Sequence, residues 1–386
     1  MARDIQGRLG RLKDRRKGLD GYTILSMDAA SEVLSKRDIT ETYQDRSQQP
    51  NTQYTLGAMQ EVGPSYTQAG IDEANRVGRQ LESGLKEHGI YVNFEVQGSV
   101  PMNIHIRGVS DVDLLTLHAG FVTYEPNGLM DLMGQYKNPV YYSAADKLKE
   151  LRTRSESVLR SAFPRAKVDD AGTKAVKISG ASLRRAIDVV PSHWHDTVEW
   201  QRSKEQHDRG VDIYNKGSHT TFRNYPFKHI KIVTDKDNAT LYGLKKCIRL
   251  CKNVKSDAEK EGKSVAISSY EIAGLMWHCA HQELSVPEVY ELKLLNVTQR
   301  HLNFLASNAS YAMGLRTPDN TRCIIESAER YNGLVALAAE IDDLAAEVAK
   351  EQQQALRYYA PTRQQIQEAL ERAYIPMPVQ PYLRGY

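Results

Sequence analysis

Cysteine and tryptophan are scarce in this chain of 386 residues, with four and three respectively, and no stretch approaches the roughly 20 consecutive apolar residues that span a bilayer. The cysteines, Cys247, Cys251, Cys279 and Cys323, are too irregularly spaced for a disulfide framework, which suits a reducing compartment. Cys247 and Cys251 stand i, i+4 on an expected helix, with His278-Cys279-Ala280-His281 near in sequence. Two readings stay open there, a zinc site and buried free thiols. The start, Met1-Ala2-Arg3-Asp4-Ile5, lacks the apolar stretch of a secretory signal, so a cytoplasmic protein with no membrane partner is expected. A dominant charge is absent too: the net charge of +3 gives no ground by itself for nucleic-acid binding.

What is present is patterned. Hydrophobic residues are 41% of the chain and charged residues 26%, a globular composition, and the length accommodates two or three domains or one bilobed enzyme. Residues 1–20 hold seven basic side chains against three acidic ones. That segment fits contact with phosphates or an acidic partner, or else a solvated N-terminal helix. Residues 44–63, rich in Gln, Ser, Thr and Gly, read as a connector. Ile71, Ala74, Val77, Leu81 and Leu85 recur at helical spacing; Val92, Phe94 and Val96 then alternate and run into a turn at Gly98-Ser99.

Further strands are expected over 111–117, 175–178 and 186–190, with a covering helix over 147–162. Residues 197–217 read as a polar excursion. Helices follow over 241–255, 268–282 and 334–351, and the tail from Tyr374, with three prolines, is expected outside the core. The expected fold is α+β and bilobed. It comprises a basic helical segment and connector over 1–62, a sheet-and-helix catalytic core over 63–215, a helical lobe over 216–360 and a tail over 361–386.

Chemistry concentrates in Gln97-Gly98-Ser99, Asp111-Val112-Asp113 and Asp188. Residues i and i+2 of a strand face the same side, so Asp111 and Asp113 present two carboxylates together, and a divalent cation is the usual relief for such repulsion. Asp188 interrupts the apolar run Ala186-Ile187-Asp188-Val189-Val190, where a carboxylate is costly unless paired or metal-bound. Three carboxylates from two strands suit two Mg²⁺ ions, with Mn²⁺ able to substitute, which activate a hydroxyl and stabilise a leaving pyrophosphate. Gly98 lets the backbone approach a phosphate, and the Ser99 hydroxyl with neighbouring N–H groups can hold its oxygens. On a later helix Lys245, Arg249 and Lys252 share one face, either a cationic wall for a triphosphate or an exposed basic face.

Taken in order, Gly98-Ser99, Arg107-Gly108-Val109-Ser110-Asp111-Val112-Asp113 and Asp188-Val189-Val190-Pro191 resemble the polymerase-β-like nucleotidyltransferases. Within them the match is to the branch of oligoadenylate synthases, cyclic GMP-AMP synthase and bacterial CD-NTases. Ile248-Arg249-Leu250-Cys251-Lys252 is similar to that branch's phosphate-binding helix, and Ser268-Ser269-Tyr270-Glu271 to its Ser-Tyr element. The resemblance spans about residues 65–310, and where the branch often has Gly-Thr this chain has Asn103-Ile104. It implies catalytic, metal-holding Asp111, Asp113 and Asp188. It also implies nucleotide contacts from Gly98, Ser99, Lys252, Ser269 and Tyr270, the tyrosine stacking on a base; read from the residues alone, Tyr270 fits a core aromatic as well.

The activity so implied is Mg²⁺-dependent synthesis of a cyclic di- or trinucleotide messenger from ATP or other NTPs, in antiphage (CBASS) signalling with a separate effector protein. A linear oligonucleotide synthase, a template-independent RNA nucleotidyltransferase and an inactive binding module are the alternatives. No compact His/Cys cluster resembles the zinc insertion of the animal DNA sensor, so activation by DNA is not implied.

Overall fold

The computed structural model describes residues 4–17 and 41–378; the remaining N-terminal residues and positions 379–386 of the tail lie outside the described residues. The chain divides into two compact units. One comprises Gly63–Asn103 and Ser110–Ile232, the other Met1–Val62, Ile104–Val109 and Val233–Tyr386.

The first unit is a mixed sheet with helices. Strands β1 (Val92–Gln97), β2 (Val112–His118), β3 (Thr123–Tyr124), β4 (Lys167–Asp169), β5 (Val176–Ser179), β6 (Ile187–Asp196), β7 (Gly210–Asn215) and β8 (Thr220–Asn224) run in the spatial order β1-β2-β6-β5-β4, with β3 and β7 also on β6 and β8 on β7. Strands β2 and β6 are parallel, whereas β1–β2 and β5–β6 are antiparallel.

Period-two alternation sorts the side chains of these strands between two faces. Val112 and Leu114 of β2, Ile187 and Val189 of β6, and Val176 and Ile178 of β5 pack with Ala74, Val77, Leu81 and Leu85 of the helix Pro64–Lys86 and with Leu148, Leu151 and Leu159 of the helix Ala144–Ala162. Leu115, Leu117 and Val190 face the other way, onto Val211, Ile213 and Phe227. Residues 197–217, expected to be an excursion, instead supply β7, which pairs with the long outer half of β6 at Ser192↔Ile213 through His195↔Gly210. Their polar character hid a strand whose apolar positions are only Val211, Ile213 and Tyr214.

The second unit is helical. Its longer helices include Gly243–Lys260, Ser269–Trp277, Leu292–Ser307 and Ala328–Gln352. Leu334, Leu337, Ile341, Leu344 and Val348 are all fully buried, as their spacing requires. The helix expected over 268–282 stops at Trp277 and restarts at His281.

Three expectations need correction here. The connector over 44–63 contains the helix Pro50–Met59, in which nine residues are buried. Its first N–H groups, on Asn51 and Thr52, donate to the Glu351 carboxylate at 2.8 and 2.7 Å. Its last carbonyls accept from Arg249 at Met59 (2.7 Å) and from Asn253 at Ala58 (3.0 Å). Charged partners at both ends complement the helix dipole and satisfy the orphan backbone groups, so a helix with little apolar periodicity is stable in the interior.

In its described part the basic N-terminal segment is only partly solvated, and two of its arginines are buried in ion pairs. In the helix Ile5–Lys17, Arg8 pairs with Glu340 at 2.8 Å and with Glu261, and Arg15 pairs with Asp257 at 2.7 Å. The tail joins the core at Ile375, which is buried and whose N–H donates to Val289 O at 2.8 Å.

Candidate active site

Gly98, Ser99, Asp111, Asp113 and Asp188 belong to the sheet unit, whereas Lys252, Ser269 and Tyr270 belong to the helical unit. In the sheet, Asp113 stands directly opposite Asp188 across the parallel β2–β6 pair, and opposite Gln97 on β1. Because Val112, Leu114, Ile187 and Val189 point into the helix-covered core, the alternation turns Asp113 and Asp188 to the other face of the sheet, with Asp111 two residues upstream on the same side.

The turn after β1 closes on these acids. Gly98 has φ of +80°, and a Cβ there would lie 2.2 Å from Asp113 Oδ2. Only glycine permits both that backbone and that approach. Ser99 follows in the turn, half-buried.

Sequence reasoning missed Lys177, which lies opposite Asp188 on β5. Its ammonium contacts Asp111 Oδ2, with side chains 43% and 33% exposed. Burial, followed by the charge of Asp111, pushes the Asp188 carboxyl above the usual range, against the opposing effect of Lys177. Asp111 in turn raises Lys177 by its hydrogen bond. The signal was available: in Val176-Lys177-Ile178 the strand alternation puts the lysine on the face that carries the acids.

Among the described residues no group of three or more His, Cys, Asp or Glu converges into a ready metal cage, and Asp111 carries the Lys177 ammonium. The donors are nonetheless all carboxylate oxygens, gathered where burial and a neighbouring carboxylate hold one carboxyl above its usual range. That set fits a hard divalent cation better than a thiophilic one. The thiols Cys247, Cys251 and Cys279 are buried and free, and burial pushes Cys247 up to about 12; they behave as core side chains.

In the helical unit, Lys252 is 4% exposed and its Nζ donates to Ile104 O at 2.7 Å. Arg249 is equally buried, and Lys245 Nζ donates to Thr234 Oγ1 at 3.2 Å. The shared face is therefore engaged inside its own unit, chiefly with backbone carbonyls, rather than presented as an exposed basic face.

Ser268 is the N-cap of the helix Ser269–Trp277 and forms a capping box with Glu271, which leaves Ser269 exposed in the first turn. The Tyr270 ring lies under Arg322, 4.8 Å from guanidinium carbon to ring centroid. Burial, then Asp319, raises its phenol.

Comparison with known proteins places this architecture. Residues 231–333 match the model of the cGAS/DncV-like nucleotidyltransferase C-terminal helical domain. A cyclic dinucleotide synthase CdnE from Yersinia aleksiciae is 39% identical over 338 residues, covering 87% of this chain and 85% of that protein. A c-di-GMP synthase from Flavobacteriaceae sp. genome_bin_11 is 28% identical over 76% of this chain and 84% of its own length. Among solved structures, a STING-associated CdnE c-di-GMP synthase from Flavobacteriaceae sp. shares the fold with a TM-score of 0.68 over 89% of this chain and 98% of that one, at 24% identity. No helix among the described residues is long and apolar enough to cross a membrane. The chain belongs to the cGAS/DncV-like nucleotidyltransferases, the CD-NTases, alongside the CdnE cyclic dinucleotide synthases.

Proposed function

We propose that this chain condenses two nucleoside triphosphates into a cyclic dinucleotide that serves as a second messenger for a separate effector protein, as in antiphage signalling. Each ribose hydroxyl attacks the α-phosphate of the other nucleotide. In each step the hydroxyl gives up its proton to solvent, a bond forms between its oxygen and the α-phosphorus, the bond from that phosphorus to the α–β bridging oxygen breaks, and pyrophosphate leaves, twice per ring. Asp111, Asp113 and Asp188 would hold Mg²⁺, which when bound supplies Lewis-acid stabilisation of the hydroxyl's developing charge and of the leaving pyrophosphate.

The chain's own contribution is placement. Gly98 brings the backbone against Asp113, so that the turn N–H groups and the Ser99 hydroxyl can orient phosphate oxygens beside the acids. Lys252, Ser269 and Tyr270 are assigned to the nucleotide on the family resemblance. For Lys252 that assignment stands beside its bond to Ile104 O; an ammonium carries three donors, so one such bond does not preclude a phosphate contact.

The observation that carries the reading is the register pair Asp113↔Asp188, with Asp111 two residues upstream and a cation already seated on it. The test is incubation with labelled NTPs singly and in pairs, followed by phosphatase. A phosphatase-resistant product with the mass of a cyclic dinucleotide, lost in Asp111→Asn and Asp113→Asn with either Mg²⁺ or Mn²⁺, is expected. Linear ladders would show a linear synthase instead, and turnover surviving both substitutions would remove the metal assignment.

A further inference from the structure

The motif residue Arg107 has no place in the chemistry above, yet it lies four residues before Asp111. The segment Ile104–Val109 packs with the helical unit, although the residues on both sides, through Asn103 and from Ser110, belong to the sheet unit. Ile104, His105 and Ile106 are 1%, 0% and 5% exposed, so the first half of the segment is buried, whereas Gly108 and Val109 are exposed. Asn103 enters it at φ of +54° and Gly108 leaves it at +73°, the left-handed conformation that asparagine and glycine tolerate best.

Side chains of both the segment and its surroundings hold it by hydrogen bonds. Lys252 Nζ donates to Ile104 O at 2.7 Å, and Arg107 Nη1 donates to Arg16 O at 2.7 Å.

The second acceptor is fixed. Arg16 lies in the last turn of the helix Ile5–Lys17, where orphan carbonyls carry partial negative charge and favour a cation. Arg16 itself donates to Glu41 at 2.6 Å and to the carbonyls of Gln60 and Glu61 at 3.1 and 2.8 Å. Upstream, the helix is tied by Arg8 to Glu340 and by Arg15 to Asp257. Arg107 thus ends on a carbonyl that cannot wander.

We propose that Arg107 is a positioning residue: by holding the end of this segment against the N-terminal helix, it sets the backbone from which Asp111 and Asp113 project. The inference rests on the assignment of those two acids as metal-holding. Misplacement of reacting groups by about 1 Å costs on the order of a hundredfold in rate; loss of the Arg107 tether, with the other contacts of the segment kept, is expected to lower kcat by about tenfold, which equals about 1.4 kcal/mol.

The test compares Arg107→Ala, Arg107→Gln and Arg107→Lys with wild type and with Asp113→Asn in the full chain. Three readouts are taken: kcat and KM for NTPs, amide hydrogen exchange, and thermal melting without metal or nucleotide. In Arg107→Ala we expect kcat about tenfold lower with KM within twofold. Exchange over 104–113 should be about tenfold faster while that over 176–190 stays unchanged, and Arg107→Lys should recover most of both losses. If Arg107→Ala does not fold, Arg107→Gln, which keeps a polar amide but is two atoms too short to place a donor where Nη1 stands, carries the same expectations.

Wild-type kcat and wild-type exchange in these variants would overturn the inference. So would a rise in KM at unchanged kcat, which marks a substrate contact, and so would equal losses of exchange protection in both segments, which mark a general fold defect. An active Asp113→Asn would remove the underlying assignment instead, and does so separately from any Arg107 result.

Discussion

Replacing Asp188 by Asn should abolish turnover and at the same time stabilise the metal-free protein. Asp188 is partly buried and faces Asp113 in register on a neighbouring strand, and such side chains lie about 5 Å apart. At an effective dielectric of about 20, two carboxylates at that separation repel by about 3 kcal/mol. Greater access of water raises the effective dielectric and reduces this to about 1–2 kcal/mol, and the Lys177 ammonium opposes it further; Asn removes the repulsion while keeping the shape.

For a unit of this size, that corresponds to a melting point higher by roughly 2–6 °C, read by differential scanning fluorimetry in EDTA. The pH dependence fixes the cause. Burial and Asp111 hold the folded carboxyl above its unfolded value, so the folded state binds more protons and the wild-type contribution falls as pH rises. The Asn variant should therefore lead by most at pH 8, and the gap should close as pH falls through the raised folded pKa of the carboxyl. Adding Mg²⁺ should reverse the order, because a ligand at a hundredfold excess over Kd stabilises only the binding form, by about 2.7 kcal/mol. An Asn variant that melts below wild type in EDTA at pH 8, or a gap indifferent to pH, refutes the reasoning.

Two other substitutions probe the frame around the acids. Gly98→Ala puts a Cβ 2.2 Å from Asp113 Oδ2 at φ of +80°; pyrophosphate release should fall at least about tenfold, and urea unfolding should show a loss of about 1 kcal/mol or more. Arg15→Ala strips the buried Asp257 of its main partner at 2.7 Å, and breaking a buried pair from one side costs about 3–5 kcal/mol. Burial raises the Asp257 carboxyl, but bonds from Arg15, Tyr54 and Arg11 prevail and hold it below the usual range. The contribution is therefore present above the unfolded pKa and lost as pH falls through the lower folded one. Denaturation curves of wild type and Arg15→Ala should converge only at strongly acid pH.

The sheet unit was legible because its elements announce themselves locally. Val92, Phe94 and Val96 alternate on β1, Asp111 and Asp113 are spaced by two, and Asp188 is conspicuous among Ile187, Val189 and Val190. What could not be read were the pairings. Neither the parallel register Asp113↔Asp188 nor the place of Lys177 opposite it follows from any local pattern, since register is settled by the whole sheet. Residues 197–217 failed for a related reason. A strand such as Gly210–Asn215, added at the flank of β6, needs few apolar positions, and its polar neighbours outvote them.

In the helical unit the N-terminal segment was misread because charge was taken as a sign of exposure, and buried cations recur elsewhere in that unit. Arg8, Arg15, Arg249 and Lys252 are all at most 4% exposed, and their acceptors are far away in sequence: Glu340 and Asp257 for the first two, the carbonyls of Met59 and Ile104 for the others. Each cation completes a backbone end or a buried acid whose need is invisible until the chain is folded. The polar helix Pro50–Met59 is the counterpart. It shows little amphipathic stripe because it is buried on nearly every side, and Glu351, Arg249 and Asn253 replace the caps that its own sequence lacks. Arg107 obeys the same logic with a different consequence. Its acceptor is the backbone of the N-terminal helix and its neighbours in sequence are Asp111 and Asp113, so on the positioning role proposed above a contact that elsewhere would serve packing alone reaches the geometry of the acids.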